Sequence, residues 1–449
     1  NLILSFRKVE DGNSMKMIST AADTKDISVT IYNCGFGVVK ETRDVNLSGV
    51  ETELIFADVA QQIEVDSLLV EGLNVLEFNY DYDLVSKEKL LKKYIDKEVF
   101  LKDRETGEKK NCRLLSVEGP GRCVLEDNAT KEIYIETQEE LILPSLPSGL
   151  IVKPALVWKI APAITDKVKV SYLSQGLSWC VNYVIELLER TLNITGWAEI
   201  DNQCGTTFEN AKVKLIAGDI NRIQDGDGFE VEDRMYVSEP AAAPQAEEKS
   251  FFDYHMYTLK NRTTLKNNQT KQINILNSLN IPYKKYYKLN TYDKKVNIII
   301  EFANKKESGL GIAMPKGKVK LYKADTSDNS LEFIGEDAIE HTPKDEDIKL
   351  TVGNAFDITF TFEEIHRKRI NGFDFYKYEC IIKNHKEEPA EVHFEHHVWG
   401  VWEMVSSTHD YHKKTSSIIE FNVNVLSDSE AKVEFEYKID RRTEIFVKR

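Results

Sequence analysis

Apolar and polar residues alternate most clearly between residues 168 and 222 of the chain. Val168, Val170 and Tyr172 stand at every second position, and the same period of two continues over 179–187 and 213–217. This period is typical of a β-strand that buries one face. Gly196, Gly218 and the turn-forming segment 202–205 interrupt the pattern, so the region predicts several antiparallel strands that pack one face onto a core.

The same alternation returns after residue 250 and continues almost to the end of the chain. Five stretches carry an apolar residue at every second position, at 296–302, 356–362, 392–398, 419–425 and 433–439. Many half-buried strands without intervening helices are typical of antiparallel sandwiches. Region 251–449 is therefore predicted to form sandwiches of Ig-like character.

The N-terminal half combines strand patterns with one helical segment. Residues 27–77 alternate as strands, whereas Ser86 is followed by Leu90, Leu91 and Tyr94 near helical spacing, which predicts one short helix. Five short strand candidates follow, separated by turns, at 99–101, 112–117, 122–125, 133–135 and 141–143. So many short strands in so few residues predict a small β-barrel inserted between sheets.

The fold class predicted from these patterns is all-β, with antiparallel sheets, Ig-like β-sandwich domains, a small inserted β-barrel and one short helix. The predicted segments are an N-terminal extension at 1–26, a β-sheet domain at 27–85, the helix and small barrel at 86–145, a central β region at 146–224, an acidic loop and Pro/Ala-rich flexible linker at 225–250, and the C-terminal β-sandwich region at 251–449.

Scattered residues of the central and C-terminal regions form a pattern of glycines, aromatic residues and short polar motifs: Tyr172, Gly176, Trp179, Tyr183, Gly196, Trp197, Asn202, Gly205, Tyr257, Pro315, Gly317, Gly335, Asp337, His341, Thr342, Pro343, Gly353, Asn354 and Trp402. In these residues the chain resembles an uncharacterised family of mucoidy inhibitor A-like bacterial proteins. The resemblance implies a shared C-terminal domain of unknown function. Many relatives carry a long N-terminal coiled coil, and this sequence has no sustained heptad that would form one.

The formal net charge of −15 argues against a general nucleic-acid or anionic-membrane surface. No run of eighteen apolar residues is present, so the sequence predicts no transmembrane segment. The six scattered cysteines and the lack of a visible signal segment favour a cytoplasmic location. Secretion stays open, because the sequence begins at Asn1 without a methionine.

The histidines late in the chain give the sharpest chemical hypothesis. On a strand, His393, Glu395 and His397 would project from one face, where side chains two residues apart can share a metal. The simpler interpretation is a polar outer face, because zinc sites use three or four convergent ligands with further support. His396 has the apolar parity and is predicted to be a hydrogen-bonded core or edge residue.

Two other segments have a composition that suggests binding. Asp225 and Asp227 begin an acidic, glycine-containing stretch that resembles a calcium loop, but the closing carboxylate is missing, so a solvated loop is favoured. Residues 259–295 hold nine basic residues and one acid, interleaved with tyrosines. This composition is typical of single-strand nucleic-acid surfaces, and equally of half-buried strands with a wet face. The predicted interaction residues of this segment are Lys284, Lys285, Tyr286 and Tyr287.

The sequence contains no nucleophile elbow, no phosphate-cradling loop and no cysteine in a setting that would activate it. It therefore predicts no catalytic residue, no cofactor and no enzymatic activity. The predicted function is that of a non-enzymatic structural or protein-interaction protein, which meets a protein partner or a second copy of itself through sheet edges. The alternative is a ligand-binding or hydrolytic protein that acts on cell-surface polymer.

Overall fold

The computed structural model describes residues 7–11, 14–82, 87–103, 106–118, 122–135, 140–144, 153–218, 246–252 and 254–441. Strands dominate these ranges, and the prediction of an all-β fold with one short helix is confirmed. The acidic loop and most of the predicted linker lie outside the described residues. The described residues fall into two compact units, the first drawn from Asn1–Ser178, Asp201–Ile216 and Asn261–Lys271, and the second from Trp179–Ile200, Ala217–Lys260 and Gln272–Arg449.

The elements of the first half of the chain are β1 Arg7–Asp11, β2 Ser14–Ser19, β3 Thr24–Tyr32, β4 Phe36–Ser48, β5 Glu53–Ala57, β6 Ile63–Glu71, β7 Val75–Asp81, α1 Lys87–Lys93, β8 Glu98–Lys102, β9 Lys109–Glu118, β10 Arg122–Asp127, β11 Ile133–Ile135, β12 Glu140–Ile142, β13 Ala155–Ile160, β14 Ile164–Gln175, β15 Leu177–Leu187, β16 Thr191–Asn202 and β17 Phe208–Ala217. A 3-10 turn, Ala21–Asp23, precedes β3.

The elements of the second half are β18 Ala246–Phe251, β19 Tyr254–Leu259, β20 Thr263–Leu265, β21 Gln269–Asn290, β22 Lys295–Ala303, β23 Gly317–Ala324, β24 Leu331–Ile339, β25 Asp347–Asn354, β26 Ile358–Ile370, β27 Phe373–Asn384, β28 Ala390–His397, β29 Trp402–Ser407, β30 Tyr411–Thr415, β31 Ile418–Val425 and β32 Ser429–Asp440. A second 3-10 turn, Lys306–Ser308, follows β22.

Two sheets of the first unit face one another. One has the strand order β1-β2-β5-β13-β7, and the other has the order β17-β3-β4-β14-β6, with β20 beside β17. The buried guanidinium of Arg43 on β4 lies over the ring of Phe56 on β5, 3.7 Å from its centroid, so the inner faces of the sheets meet there. β6 and β7 end their respective sheets, and the short turn 72–74 joins them. Both edges therefore lie on the same side of this unit.

A separate sheet of the first unit has the order β11-β10-β9-β8-β12, and α1 packs beside it. Its strands coincide with the five short strand candidates, and α1 lies within the predicted helix at 86–94. Leu91 and Tyr94 pack onto Val99 and Leu114 in a small core. Closure of this sheet into a barrel stays a prediction.

The second unit contains a long sheet with the order β24-β23-β15-β16-β21-β28-β31-β30. In addition, β22 pairs with β21, and β25 pairs with β22. The sheet curls until β24 approaches β25. There the Asp337 carboxylate accepts a hydrogen bond from the Thr351 N–H, at 2.6 Å. A Cβ atom on Gly335 would lie 2.1 Å from the Val352 carbonyl oxygen, so only glycine permits this close approach.

The C-terminal part of the second unit is a two-sheet sandwich. The sheet β26-β27-β32-β29 packs against β28 and β31 around a single apolar core. Phe394 and Phe421 from one sheet meet Phe435 from the other, with ring centroids 5.0–6.0 Å apart. The predicted alternation in 392–398, 419–425 and 433–439 supplies this core. The Ig-like topology stays a prediction.

Candidate functional site

The two groups of candidate residues from the sequence lie on neighbouring strands. β21 and β28 run parallel, and their register pairs Tyr287 with Val392 and Lys288 with His393. β21 carries Lys284, Lys285, Tyr286 and Tyr287, and β28 carries His393, Glu395 and His397. The fold thus brings together two stretches that are far apart in the sequence.

Both tyrosines of this β21 segment are buried. Tyr287 belongs to the sandwich core, and the ring of Tyr286 stacks on that of His393 with centroids 4.1 Å apart. Lys284 and Lys285 are exposed, and the Lys285 ammonium lies 3.9 Å from Glu388. Because both rings are engaged within the protein, this segment presents no exposed aromatic platform of the kind that stacks on nucleic-acid bases.

The side chain of Glu395 lies on the outer face of β28, whereas that of the preceding residue, Phe394, lies in the core. Glu395 is nevertheless only 3% exposed. One carboxylate oxygen lies 2.6 Å from the Lys414 ammonium, and the other lies 3.1 Å from the Lys288 ammonium. Burial by itself raises the pKa of Glu395, but the hydrogen bonds from Lys414 and Lys288 outweigh it and bring the pKa below its usual value. The carboxylate is therefore ionised and held between two cations.

Lys414 connects this carboxylate with a second buried one. Its ammonium lies 2.5 Å from Glu420 on β31, and His412 contacts the other Glu420 oxygen at 2.9 Å. The pairing of β30 with β31 is irregular between Lys413 and Thr415, so Lys414 is the extra residue of a bulge. Lys288, Glu395, Lys414, Glu420 and His412 thus form an ionic network across β21, β28, β31 and β30.

The carboxylate oxygens of this network are already in contact with the ammonium groups of Lys288 and Lys414 and the imidazole of His412. His393 lies 2.9 Å from Glu391, while His397 is half-buried further along β28. Within the described ranges, no group of three or more His, Cys, Asp or Glu side chains is arranged to hold a metal ion. The calcium-like stretch beginning at Asp225 lies outside the described residues.

His396 lies on the core side of β28. Its ring is packed among Phe362, Tyr378, Phe435 and Tyr437, with centroids 4.8–5.8 Å away. One ring nitrogen lies 3.4 Å from the Tyr437 hydroxyl. Burial disfavours the imidazolium and lowers the pKa of His396 to about 4, with a smaller contribution from His397. The predicted core histidine is thus a neutral group in an aromatic cage.

The two tryptophans of the C-terminal region have different surroundings. Trp399 is 79% exposed in the loop after β28, whereas Trp402 is 6% exposed and donates its indole N–H to the Ser416 carbonyl at 2.8 Å. A shallow cleft of about 220 Å³ lies at the opposite end of β32, where Asn384 and His385 meet Asp428 and Ser429.

The edge strand β7 is a further candidate site, and it is not among the residues that the sequence patterns indicated. Among the described residues, β13 is its hydrogen-bonded neighbour on one side, and β7 ends the sheet on the other. The register is regular from Glu77 to Asp81. An edge strand presents alternate backbone N–H and C=O groups that can pair with another chain.

β7 also leaves a core-facing apolar side chain partly uncovered. Phe78 pairs with Trp158 of β13 and lies on the same face of the sheet, but Trp158 is fully buried whereas Phe78 is 38% exposed. Tyr82 directly follows β7, is 66% exposed and stacks on Tyr80, which has the parity of Phe78. Leu76 is 68% exposed, but Lys159 pairs with Glu77 and Ile160 with Val75, so Leu76 is the extra residue of a bulge. Among the described strands, the core-facing side of β7 is therefore only partly covered at Phe78.

The edge strands of the C-terminal sandwich are protected differently. β26 carries His366, Arg367, Lys368 and Arg369, and its pairing with β27 contains a bulge at Ile365. β30 carries two lysines beside the bulge at Lys414. Basic residues and bulges are common devices that prevent edge-to-edge pairing. Over 63–82, by contrast, the sequence contains five acids and no lysine or arginine.

No protein-family model matches this chain, and no curated protein sequence is significantly similar to it. The resemblance to mucoidy inhibitor A-like proteins accordingly stays a prediction. Several residues that carry it have structural roles in the curled sheet: Gly335 and Asp337 join β24 to β25, and Tyr183 donates a hydrogen bond to the Pro315 carbonyl at 2.8 Å. These residues thus take part in close packing and hydrogen bonding within the second unit.

No helix in the described part of the chain is both long enough and apolar enough to cross a membrane.

Proposed function

We propose that the protein is a non-enzymatic interaction protein that receives a strand of another polypeptide at β7. The observation that carries this proposal is the exposure of Phe78 on the core-facing side of β7, together with the exposed Tyr82 directly after the strand. Ordinary edge strands expose polar residues or lysines, whereas this edge exposes side chains that a neighbouring strand would bury.

Strand addition would satisfy two needs at once. The backbone of the incoming segment would pair with the free side of β7, and its side chains at every second position would cover Phe78 and the adjacent Tyr82. Burying a large apolar side chain contributes roughly 1.5 to 3 kcal/mol, so covering two side chains is a substantial driving force for binding. The Ig-like character and the small barrel remain part of this proposal as the scaffold that presents the edge.

Site-specific photo-crosslinking in cells tests this function. A photoreactive residue replaces Asn79, which is exposed on the outer side of β7, and a matched control replaces the exposed Ile365 on β26. We expect covalent adducts with another protein from position 79 and few from position 365, because basic residues and a bulge protect β26. Equal adducts from the two positions, or none from position 79, would refute the proposal.

A further inference from the structure

The side chains of β7 sort by chemistry onto its two faces. Phe78 and Tyr80 lie on the core side, while Glu77 and Asp81 lie on the outer side beside Lys159 and Ala155 of β13. Any segment that pairs with β7 places its own residues alternately next to these two sets. The edge therefore selects a partner by an alternating pattern of apolar and charged positions.

The charges on β6 and β7 determine which sign of charge the partner segment should carry. Glu64, Asp66, Glu71, Glu77 and Asp81 are the ionisable residues of β6 and β7 that carry a full charge at neutral pH, and all are acids. Lys159 approaches Glu77 at 2.7 Å, and Lys169 approaches Glu71 at 3.7 Å, but both pairs are largely exposed and therefore weak. The edge retains a negative field that attracts a basic segment and repels an acidic one.

The same charges disfavour a second copy of this chain as the partner. An antiparallel pair of β7 strands centred on Asn79 would align the whole regular stretch of β7, and it would place Glu77 of each copy opposite Asp81 of the other. Like charges directly opposite each other on neighbouring strands are destabilising. The net charge of −15 adds a general repulsion between copies.

We propose that β7 binds an extended segment of a partner protein in which apolar residues alternate with lysines or arginines. This inference rests on the proposed function and adds to it the chemistry of the partner. The incoming apolar residues cover Phe78 and the adjacent Tyr82, and the incoming basic residues lie next to Glu77 and Asp81.

The test uses the full chain and a fluorescein-labelled synthetic peptide, Lys-Val-Lys-Phe-Lys-Val-Lys. Three comparison peptides are an acidic version with glutamate for every lysine, a scrambled version that breaks the alternation, and a version N-methylated at alternate residues. Fluorescence anisotropy gives the affinities, and hydrogen–deuterium exchange shows whether residues 75–82 become protected. We expect the basic alternating peptide to protect these residues and to bind at least about tenfold more tightly than the other three, since tenfold is about 1.4 kcal/mol.

Charge reversal in the protein separates specific binding from general attraction. The double variant Glu77→Lys with Asp81→Lys is expected to lose about tenfold in affinity for the basic peptide and to gain affinity for the acidic one. The matched control, Glu189→Lys with Asp410→Lys, changes the net charge equally at exposed acids elsewhere and should keep the wild-type preference.

Different outcomes overturn different claims. Equal protection of residues 75–82 by the basic and acidic peptides would overturn the charge rule and leave strand addition intact. Protection of β7 by a second copy, with a dimer mass in light scattering, would overturn the choice of partner. If no peptide protects β7 although position 79 crosslinks to another protein, the alternating basic segment is wrong and the interaction function stands. If position 79 does not crosslink to another protein, the proposed function itself is refuted.

Discussion

The first unit and the C-terminal sandwich each bury an ionisable side chain between sheets, but they do so in opposite ways. Arg43 in the first unit is fully buried and remains a cation, because Glu41 binds it through two contacts at 2.7 and 3.1 Å and the Ala57 carbonyl accepts a further hydrogen bond at 2.6 Å. His396 in the C-terminal sandwich is instead surrounded by aromatic rings, and its burial favours the neutral form.

The difference shows what a buried charge requires. Arg43 has enough partners to replace its hydration, and the ring of Phe56 covers its planar face. His396 instead avoids the cost of burial by giving up its proton. The ionic network on the outer face of β28 is intermediate, because Glu395 and Glu420 are buried but the ammonium that they share is 42% exposed. Three substitutions test this comparison.

Arg43→Met is expected to have the largest effect. It leaves Glu41 buried without its cation, and breaking a buried ion pair from one side typically costs about 3 to 5 kcal/mol of unfolding free energy. Urea denaturation, with hydrogen exchange at the β4 amides as the local readout, measures the loss. The double variant Arg43→Met with Glu41→Leu removes both charges and should recover most of the stability. If the double variant is no better than the single one, packing rather than charge explains the site.

Because His396 is buried in its neutral form, we expect the free energy of unfolding to fall in acid. Its folded-state pKa of about 4 lies below its unfolded value, so the unfolded chain takes up a proton that the folded chain refuses between the two values. Stability is therefore fully present above about pH 6.5 and falls by about 3 kcal/mol as the pH drops to 4.

Urea unfolding at a series of pH values measures the effect of His396, and His396→Phe should flatten this part of the curve. Phe394→Leu, in the same core, is the control: it should lower stability at every pH without flattening the curve. A His396→Phe curve with the wild-type slope would show that other groups cause the acid sensitivity.

Lys414→Met is expected to have the smallest effect. The substitution leaves Glu395 and Glu420 without their shared ammonium, although Lys288 and His412 still contact one carboxylate each. Removing one partner of a buried hydrogen-bond acceptor typically lowers the free energy of unfolding by about 1 to 3 kcal/mol. Because the lysine is partly exposed, we expect a loss at the lower end of this range. Lys413→Met, on the neighbouring residue that lies over the Trp402 ring, is the matched control and should cost less. Equal losses would argue against the network.

The sheet edges show the same contrast between the two regions. Basic residues and bulges protect β26 and β30, whereas β7 is acidic and, apart from a bulge at Leu76, regular from Glu77 to Asp81. This contrast is the reason why we propose strand addition at the first unit and not at the C-terminal sandwich. The crosslinking and peptide experiments address this contrast directly.

The sequence by itself determined the fold class and the faces of most strands. The period of two in 392–398 and 433–439 correctly placed Phe394 and Phe435 in the core and Glu395 on the outer face, and of the two positions predicted for His396, core or edge, the structure shows the core. It also located the five short strands and the helix of the small sheet. Local periodicity suffices for these features, because side-chain direction in a strand depends on parity alone.

Only the tertiary structure decided which residues meet. The contact of Tyr286 with His393 depends on the parallel register of β21 and β28, and the contact of Lys414 with Glu395 depends on a bulge in β30. The buried amide of Asn304 likewise donates to the Ile312 and Pro343 carbonyls and accepts from the Gly311 N–H, which joins three separate segments. Strand neighbours and register are long-range choices, so alternation could show that β7 has an apolar face but not that this face would be left partly uncovered.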